Sequence, residues 1–172
     1  MPTHPYRQRL LAWLDALPEV LPLLTFVPRT HRKRAMEAEH LAIAFNLGDQ
    51  AFRITHSRIS ERQAAAALVE CRFGHAPQHR ASEALQRLLS TNFQASVAMP
   101  AGFCLDGTSG EVWLCTPIHL ERDTLDELVH AIVSGAQLAS LWRERRLLDR
   151  PTPAGCPVLT AAATRGTVFL RA

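Results

Sequence analysis

The sequence lacks a stretch that could cross a membrane or direct secretion. No apolar run approaches the length of about 18 residues that suggests a transmembrane helix. The apolar segment from Leu10 to Leu24 is interrupted by two acidic residues and two prolines, which spoils the core of a signal peptide. We therefore expect a cytoplasmic protein with no membrane span.

Cysteine is scarce, and its spacing excludes the common local motifs. The four cysteines, Cys71, Cys104, Cys115 and Cys156, form no C-x-x-C pair. We interpret them as packed free thiols. A disulfide between Cys104 and Cys115 across a predicted hairpin is the alternative, and a reducing cytoplasm disfavours it.

Motifs for catalysis are absent as well. The sequence has no G-x-S-x-G, G-x-x-x-x-G-K or H-E-x-x-H. The segment Gly107–Gly110 is explained by a hairpin turn, since it lacks the lysine of a phosphate loop. His75 and His79 have a helical metal spacing, but Pro77 disfavours a helix between them and no carboxylate or thiol is near. We predict no catalytic residue, metal or cofactor; an enzyme with a site dispersed along the chain is one alternative.

The composition is that of an ordinary globular protein. The 172 residues are 47% hydrophobic and 20% charged, with a net charge of +3. That charge is too mild to indicate a nucleic-acid partner. We predict one α+β domain over residues 1–148 and a proline-rich C-terminal extension over 149–172, either flexible or an added edge strand. Breakers over Arg150–Pro157 separate the two.

The periodicity of apolar residues predicts three helices and five strands. A first helix from Tyr6 ends at Pro18, and an irregular link fills 18–39. The other predicted elements are strands over 41–47, 51–56 and 67–73, a helix from Ala81 that Asn92 ends, strands over 102–105 and 111–119, and a helix over 125–142. Thr124 and Glu127 form a capping box for that last helix. The fold class is α+β, an antiparallel twisted sheet with helices packed on it, in the order α-β-β-β-α-β-β-α.

Four features of the C-terminal half point to a known family. They are the pair Leu88-Leu89 followed by Asn92, the strand end Phe103–Asp106, the return strand Val112–Leu114, and the helix Leu125–Trp142 together with the late segment Leu138–Arg143. This pattern resembles the Tir-chaperone family, the small dimeric class I chaperones of bacterial type III secretion. The likeness covers roughly residues 5 to 147.

The resemblance implies a homodimer and a client. Family dimers use the helix equivalent to 78–90 and nearby strand surface, which suggests the interface residues Leu85, Leu88, Leu89 and Trp113. The family binds the N-terminal region of secreted effectors, which are virulence proteins, as an extended chain without ATP. It keeps that region competent for secretion and directs it to the export apparatus, so the secretion ATPase or export apparatus is a further candidate partner. By position in the pattern, the candidate effector-binding residues are Leu10, Trp13, Leu14, Phe45, Phe52 and Ile54. Core packing explains each of these residues equally well.

A second alternative function comes from the basic segment Arg29–Arg34. It could belong to a nucleic-acid-binding regulator. A solvated loop explains the segment better, because the aromatic neighbours expected of a nucleic-acid surface are missing. The sequence alone identifies neither the effector nor the role of the extension.

Overall fold

The computed structural model describes residues 5–26, 39–57, 64–76, 78–94 and 101–144. The elements in chain order are helix α1 (Pro5–Val20), strands β1 (Leu24–Phe26), β2 (His40–Leu47), β3 (Gln50–Ser57) and β4 (Ala66–His75), a 3-10 turn (Gln78–Arg80), helix α2 (Ala81–Gln94), strands β5 (Gly102–Leu105) and β6 (Glu111–His119), and helix α3 (Leu125–Arg143). The basic segment 29–34 and the extension 149–172 lie outside the described residues.

Helix α1 forms around one apolar stripe. Leu10, Leu14 and Leu17 are fully buried, at the i, i+4, i+7 spacing that puts side chains on one helix face. The prediction that Pro18 ends the helix is wrong, because the helix continues to Val20. Pro18 has no amide hydrogen, so the helix lacks one i→i−4 hydrogen bond at this residue but continues past it. The amide of Leu21 still donates to the carbonyl of Leu17 at 2.8 Å.

The strands form one six-stranded antiparallel sheet in the order β1-β2-β3-β4-β6-β5. The α+β prediction is confirmed, but the order of elements has one strand more than predicted. Strand β1 pairs with β2 through Leu24 opposite Leu47 and Phe26 opposite Phe45. Its three residues lie between prolines and are too few to show an alternating pattern, so periodicity could not detect it.

Alternation along β2, β3 and β4 separates a buried face from an open one. Phe45 lies opposite Phe52, which lies opposite Cys71, and all three are buried. The ring of Phe45 stacks on Phe52, with centroids 5.3 Å apart, and lies 6.0 Å from Phe26. Ala44 and its partner Arg53 are exposed on the other face. One face is therefore committed to the core.

The chain divides into two compact units. The first comprises residues 1–71 and 117–133, and the second 72–116 and 134–172. Strands β4 and β6 and helix α3 each continue from one unit into the other. Buried apolar residues of the first unit include Leu10, Leu14, Leu17, Leu41, Phe45, Phe52, Ile54, Val69, Ile118, Leu128 and Ile132; those of the second include Phe73, Ala84, Leu88, Phe103, Val112, Leu114, Ala139 and Trp142.

The capping box predicted at the start of α3 is confirmed. The amide of Glu127 donates to Thr124 Oγ1 at 3.4 Å, and the amide of Thr124 donates to Glu127 Oε2 at 2.5 Å, which is a capping box. Within the described ranges, Cys71, Cys104 and Cys115 form no disulfide. Cys71 is buried as predicted, whereas Cys104 is exposed and not packed, because it lies on the open face of the edge strand β5.

Candidate functional site

Trp13 is the candidate client residue that the fold leaves accessible. It is half-buried on α1, and the guanidinium of Arg9 lies 4.9 Å above its ring centroid. Arg9 also donates to the carbonyl oxygens of Glu121 at 3.1 Å and Asp123 at 2.9 Å. These bonds restrain the cation, and its contact with the ring restrains the indole in turn. The site therefore presents a pre-oriented aromatic surface.

The other five candidate client residues lie inside the first unit. Leu10, Leu14, Phe45, Phe52 and Ile54 are each at most 2% exposed. Side chains buried to this degree contact their own chain rather than a partner. They form the layer beneath the surface that Trp13 belongs to.

Two further apolar residues of the first unit are exposed and were not predicted. Val20, at the end of α1, is 49% exposed and Leu23 is 72% exposed. Both fall in the stretch around Pro18 and Pro22 that the sequence assigned to an irregular link. Apolar residues in such a stretch give no periodic signal, so only the structure shows that they face solvent.

A groove of about 330 Å³ lies on the first unit, mostly on the open face of the sheet. Its lining is mainly small or apolar: His40, Leu41, Ala42, Thr55, His56, Ser57, Ala66, Ala67, Leu68 and Pro117. No Asp, Glu, Lys or Arg is among these lining residues. The groove is therefore suited to an apolar side chain or an extended chain rather than to a charged small molecule.

A buried contact joins Arg7 to His56, one of the residues that line the groove. Arg7 is fully buried, and its Nε donates to His56 Nδ1 at 3.4 Å. A guanidinium only donates, so this contact requires a neutral His56 whose Nε2–H faces the carbonyl of Ala64 at 2.9 Å. This contact was not predicted, since Arg7 occupies an ordinary polar position in an amphipathic helix pattern.

The four candidate dimer residues differ in accessibility. Leu88 is only 6% exposed, Leu85 and Trp113 are half-buried, and Leu89 is 66% exposed. Leu105 on β5 is 52% exposed and was not predicted. Leu88 thus belongs to the core of the second unit, while Leu89 and Leu105 are its large exposed apolar side chains among the described residues.

Charged residues on α2 and the turn before it form ion pairs with one another. Glu83 pairs with Arg80 at 2.8 Å and with Arg87 at 3.2 Å. The hydrogen bonds from Arg80 hold the pKa of the Glu83 carboxyl below its ordinary value. One carboxylate between two guanidinium groups leaves a small positive charge on the helix surface near Leu89.

The prediction that Asn92 ends α2 is wrong, because the helix continues to Gln94. Its side chain instead contacts strand β5. Nδ2 donates to the Phe103 carbonyl at 2.7 Å, and Oδ1 accepts from the Phe103 amide at 2.5 Å. The residue that the sequence marked as a helix stop thus connects α2 to the sheet.

The histidine pair singled out in the sequence lies on two different elements. His75 ends β4 and its Nε2 lies 3.0 Å from the Ser109 carbonyl, while His79 lies in the 3-10 turn. Within the described ranges, no group of three or more His, Cys, Asp or Glu side chains could hold a metal ion. In the same ranges, no helix is both long and apolar enough to cross a membrane.

The comparisons with known proteins agree with this architecture. The model of the Tir chaperone protein (CesT) family matches residues 43–143, which is more than half of the chain. The chain belongs to the Tir chaperone protein (CesT) family. The matched part of this family member runs from within β2 to the end of α3 and includes α2 and the β5–β6 hairpin.

The fold of this CesT family member also resembles a solved structure. A chain of the HopA1-SchA chaperone-effector complex has a TM-score of 0.55 and 17% sequence identity, covering 83% of this chain and 99% of that chain. At this identity the likeness shows a shared fold. No curated protein matches the sequence.

An Arg–Glu pair in the second unit links β4 to β6. Arg72 Nε donates to Glu111 Oε1 at 2.9 Å, and Nη2 donates to the same oxygen. These hydrogen bonds lower the pKa of Glu111, and the same contact raises the pKa of Arg72. The carboxylate of Glu111 is largely buried under the guanidinium.

We predict that this pair makes the chaperone acid-sensitive. A carboxyl whose pKa is lowered by folding stabilises the protein above its unfolded pKa of about 4.3, and this contribution is lost as pH falls through the folded value. Glu111→Gln should therefore lower the urea midpoint at pH 7 and flatten its fall below about pH 5. Urea unfolding at stepped pH measures both, with the exposed Glu121→Gln as control. A variant whose acid dependence equals that of wild type would contradict the role of Glu111.

Proposed function

We propose that this protein is a type III secretion effector chaperone. Acting in the cytoplasm as a homodimer without ATP, it binds the N-terminal region of a secreted effector as an extended chain. It keeps that region competent for secretion and directs it to the export apparatus. Membership of the CesT chaperone family over residues 43–143 is the observation that carries the proposal. The similar fold in a chaperone-effector complex supports it.

The dimer is proposed to form through the exposed side of α2. Leu89 is the exposed leucine of that helix, and Leu105 is exposed on β5, the strand that Asn92 ties to it. Burying a leucine contributes roughly 1.5 to 3 kcal/mol. In a twofold contact each interface residue is buried once in each protomer, so its contribution counts twice. Leu88 and Leu85 support the helix from beneath, and Trp113 is a further candidate.

The client surface is proposed to lie on the first unit. Ordering each residue of a disordered client costs on the order of 1 to 2 kcal/mol, so binding needs many apolar contacts. Trp13, Leu23 and Val20 are apolar and accessible, and the groove on the open sheet face adds room for further apolar side chains. The buried candidates Leu10, Leu14, Phe45, Phe52 and Ile54 are proposed to hold this surface in shape.

Trp13→Ala tests the client surface. The probe is a fluorescently labelled N-terminal segment of a secreted effector encoded next to the gene for this chain. We expect wild type to retain the segment and Trp13→Ala to bind it about 10- to 100-fold more weakly, since buried tryptophans are frequent binding hot spots. Fluorescence anisotropy measures the affinity, and circular dichroism verifies that the variant is folded.

The control separates Trp13 from exposed apolar area in general. Leu23→Ala removes apolar surface from the same unit but not the aromatic ring that Arg9 covers. We expect a smaller loss for this variant. Unchanged affinity in folded Trp13→Ala would remove Trp13 from the site, whereas failure of wild type to bind any such segment would contradict the proposed function itself.

A further inference from the structure

The outer edge of β5 is an exposed end of the sheet. Strand β5 is the last strand in the order β1-β2-β3-β4-β6-β5. An edge strand offers unpaired backbone donors and acceptors to any extended chain, including a copy of itself. A chaperone that handles extended polypeptide is exposed to this hazard more than most proteins.

The register of the hairpin shows which groups face that edge. Asp106 donates its amide to the Glu111 carbonyl, so it is a hydrogen-bonded residue of the β5–β6 ladder. In an antiparallel pair such positions alternate, so Phe103 and Leu105, opposite Leu114 and Val112, occupy the non-bonded positions. Their backbone N–H and C=O groups therefore point away from β6, toward the outer edge.

Asn92 occupies this edge at Phe103. Its carboxamide accepts from the Phe103 amide at 2.5 Å and donates to the Phe103 carbonyl at 2.7 Å. A carboxamide has the same donor and acceptor pair as a peptide unit, and here it bonds both groups of one residue as a neighbouring strand would. The side chain stands in for one residue of a seventh strand.

We propose that Asn92 is a gatekeeper that closes the β5 edge of the sheet to strand addition. With Phe103 already paired, another extended chain cannot form a continuous ladder along this edge. Leu89, one helical turn before Asn92, and Leu105, two residues after Phe103, then contact a partner only through side chains. The inference concerns β5 itself and does not depend on which client the chain binds.

The test is Asn92→Ala, read by amide exchange and by size. At low concentration, where the larger species are not populated, NMR hydrogen exchange should show that the Phe103 amide loses protection by at least about tenfold, because its acceptor is gone. Analytical ultracentrifugation should show species larger than those of wild type, growing with concentration. Thr91→Ala is the matched control, because it removes a side-chain hydrogen bond to the Arg87 carbonyl of the same helix and leaves β5 untouched.

A second-site variant separates strand addition from general misfolding. Leu105→Pro removes an outward backbone N–H that β6 does not use, and proline is tolerated on an edge strand. In the Asn92→Ala background, Leu105→Pro should abolish the large species, whereas Leu105→Ala, which also removes the leucine side chain, should not. The proposal would be overturned by large species that persist with proline. It would also be overturned by an Asn92→Ala protein that keeps the wild-type size at every concentration, or whose Phe103 amide stays protected at low concentration.

Discussion

Leu89→Asp is expected to dissociate the proposed dimer and to leave each protomer folded. Leu89 is 66% exposed, so a carboxylate at this position stays in water in the monomer. In a twofold dimer the change removes two buried leucines, worth roughly 3 to 6 kcal/mol together, and places two like charges near the symmetry axis. The dimer dissociation constant should therefore rise about 100-fold or more. Sedimentation equilibrium measures this constant.

Two controls distinguish an interface effect from a folding effect. Gln86→Asp adds the same charge at another exposed position of α2 and should leave the dimer intact. Leu88→Asp should instead unfold the protein, since Leu88 is only 6% exposed and packs within its own chain. A stable dimer of folded Leu89→Asp would exclude this side of α2 from the interface. A monomeric wild type would exclude the dimer altogether.

Regular patterns explain why most of the fold could be predicted. Alternation over 41–47, the capping box at Thr124 and the turn residues before Glu111 each give a local signal that tertiary contacts reinforce. Strand β1 was missed because a three-residue strand has no period. The last turn of α1 was missed because proline usually ends a helix, whereas here the helix runs through Pro18 to Val20.

The candidate site was harder to predict, because the sequence shows which residues are apolar but not whether each one faces the core or the solvent. Leu88 and Leu89 are adjacent and chemically identical, yet one is buried and the other exposed. Trp13 and Phe52 are both large aromatics in amphipathic segments, yet only Trp13 is accessible. Asn92 is a common residue at helix ends, and its pairing with Phe103 depends on a strand that begins ten residues later.

Phe52→Glu is expected to abolish folding rather than to weaken client capture alone. Phe52 is 2% exposed and its ring stacks on Phe45, with the two planes 7° apart. Truncating a buried phenylalanine costs roughly 3 to 5 kcal/mol, and an unpaired buried carboxylate adds several more. The whole stability of a domain is about 5 to 15 kcal/mol, so the variant should lose its cooperative thermal transition and its near-UV circular dichroism.

Ala44→Glu is the matched control for this variant. Ala44 precedes Phe45 on β2 but lies on the open face, opposite the cation of Arg53. The same charge in the same strand pair should therefore be tolerated, with a melting temperature within a few degrees of wild type. If Phe52→Glu stayed folded and lost only client binding, Phe52 would be a direct client contact, and the separation of a buried supporting layer from an accessible surface at Trp13 would be wrong. Unfolding of Phe52→Glu, together with weakened binding by folded Trp13→Ala, is the combination that this separation requires.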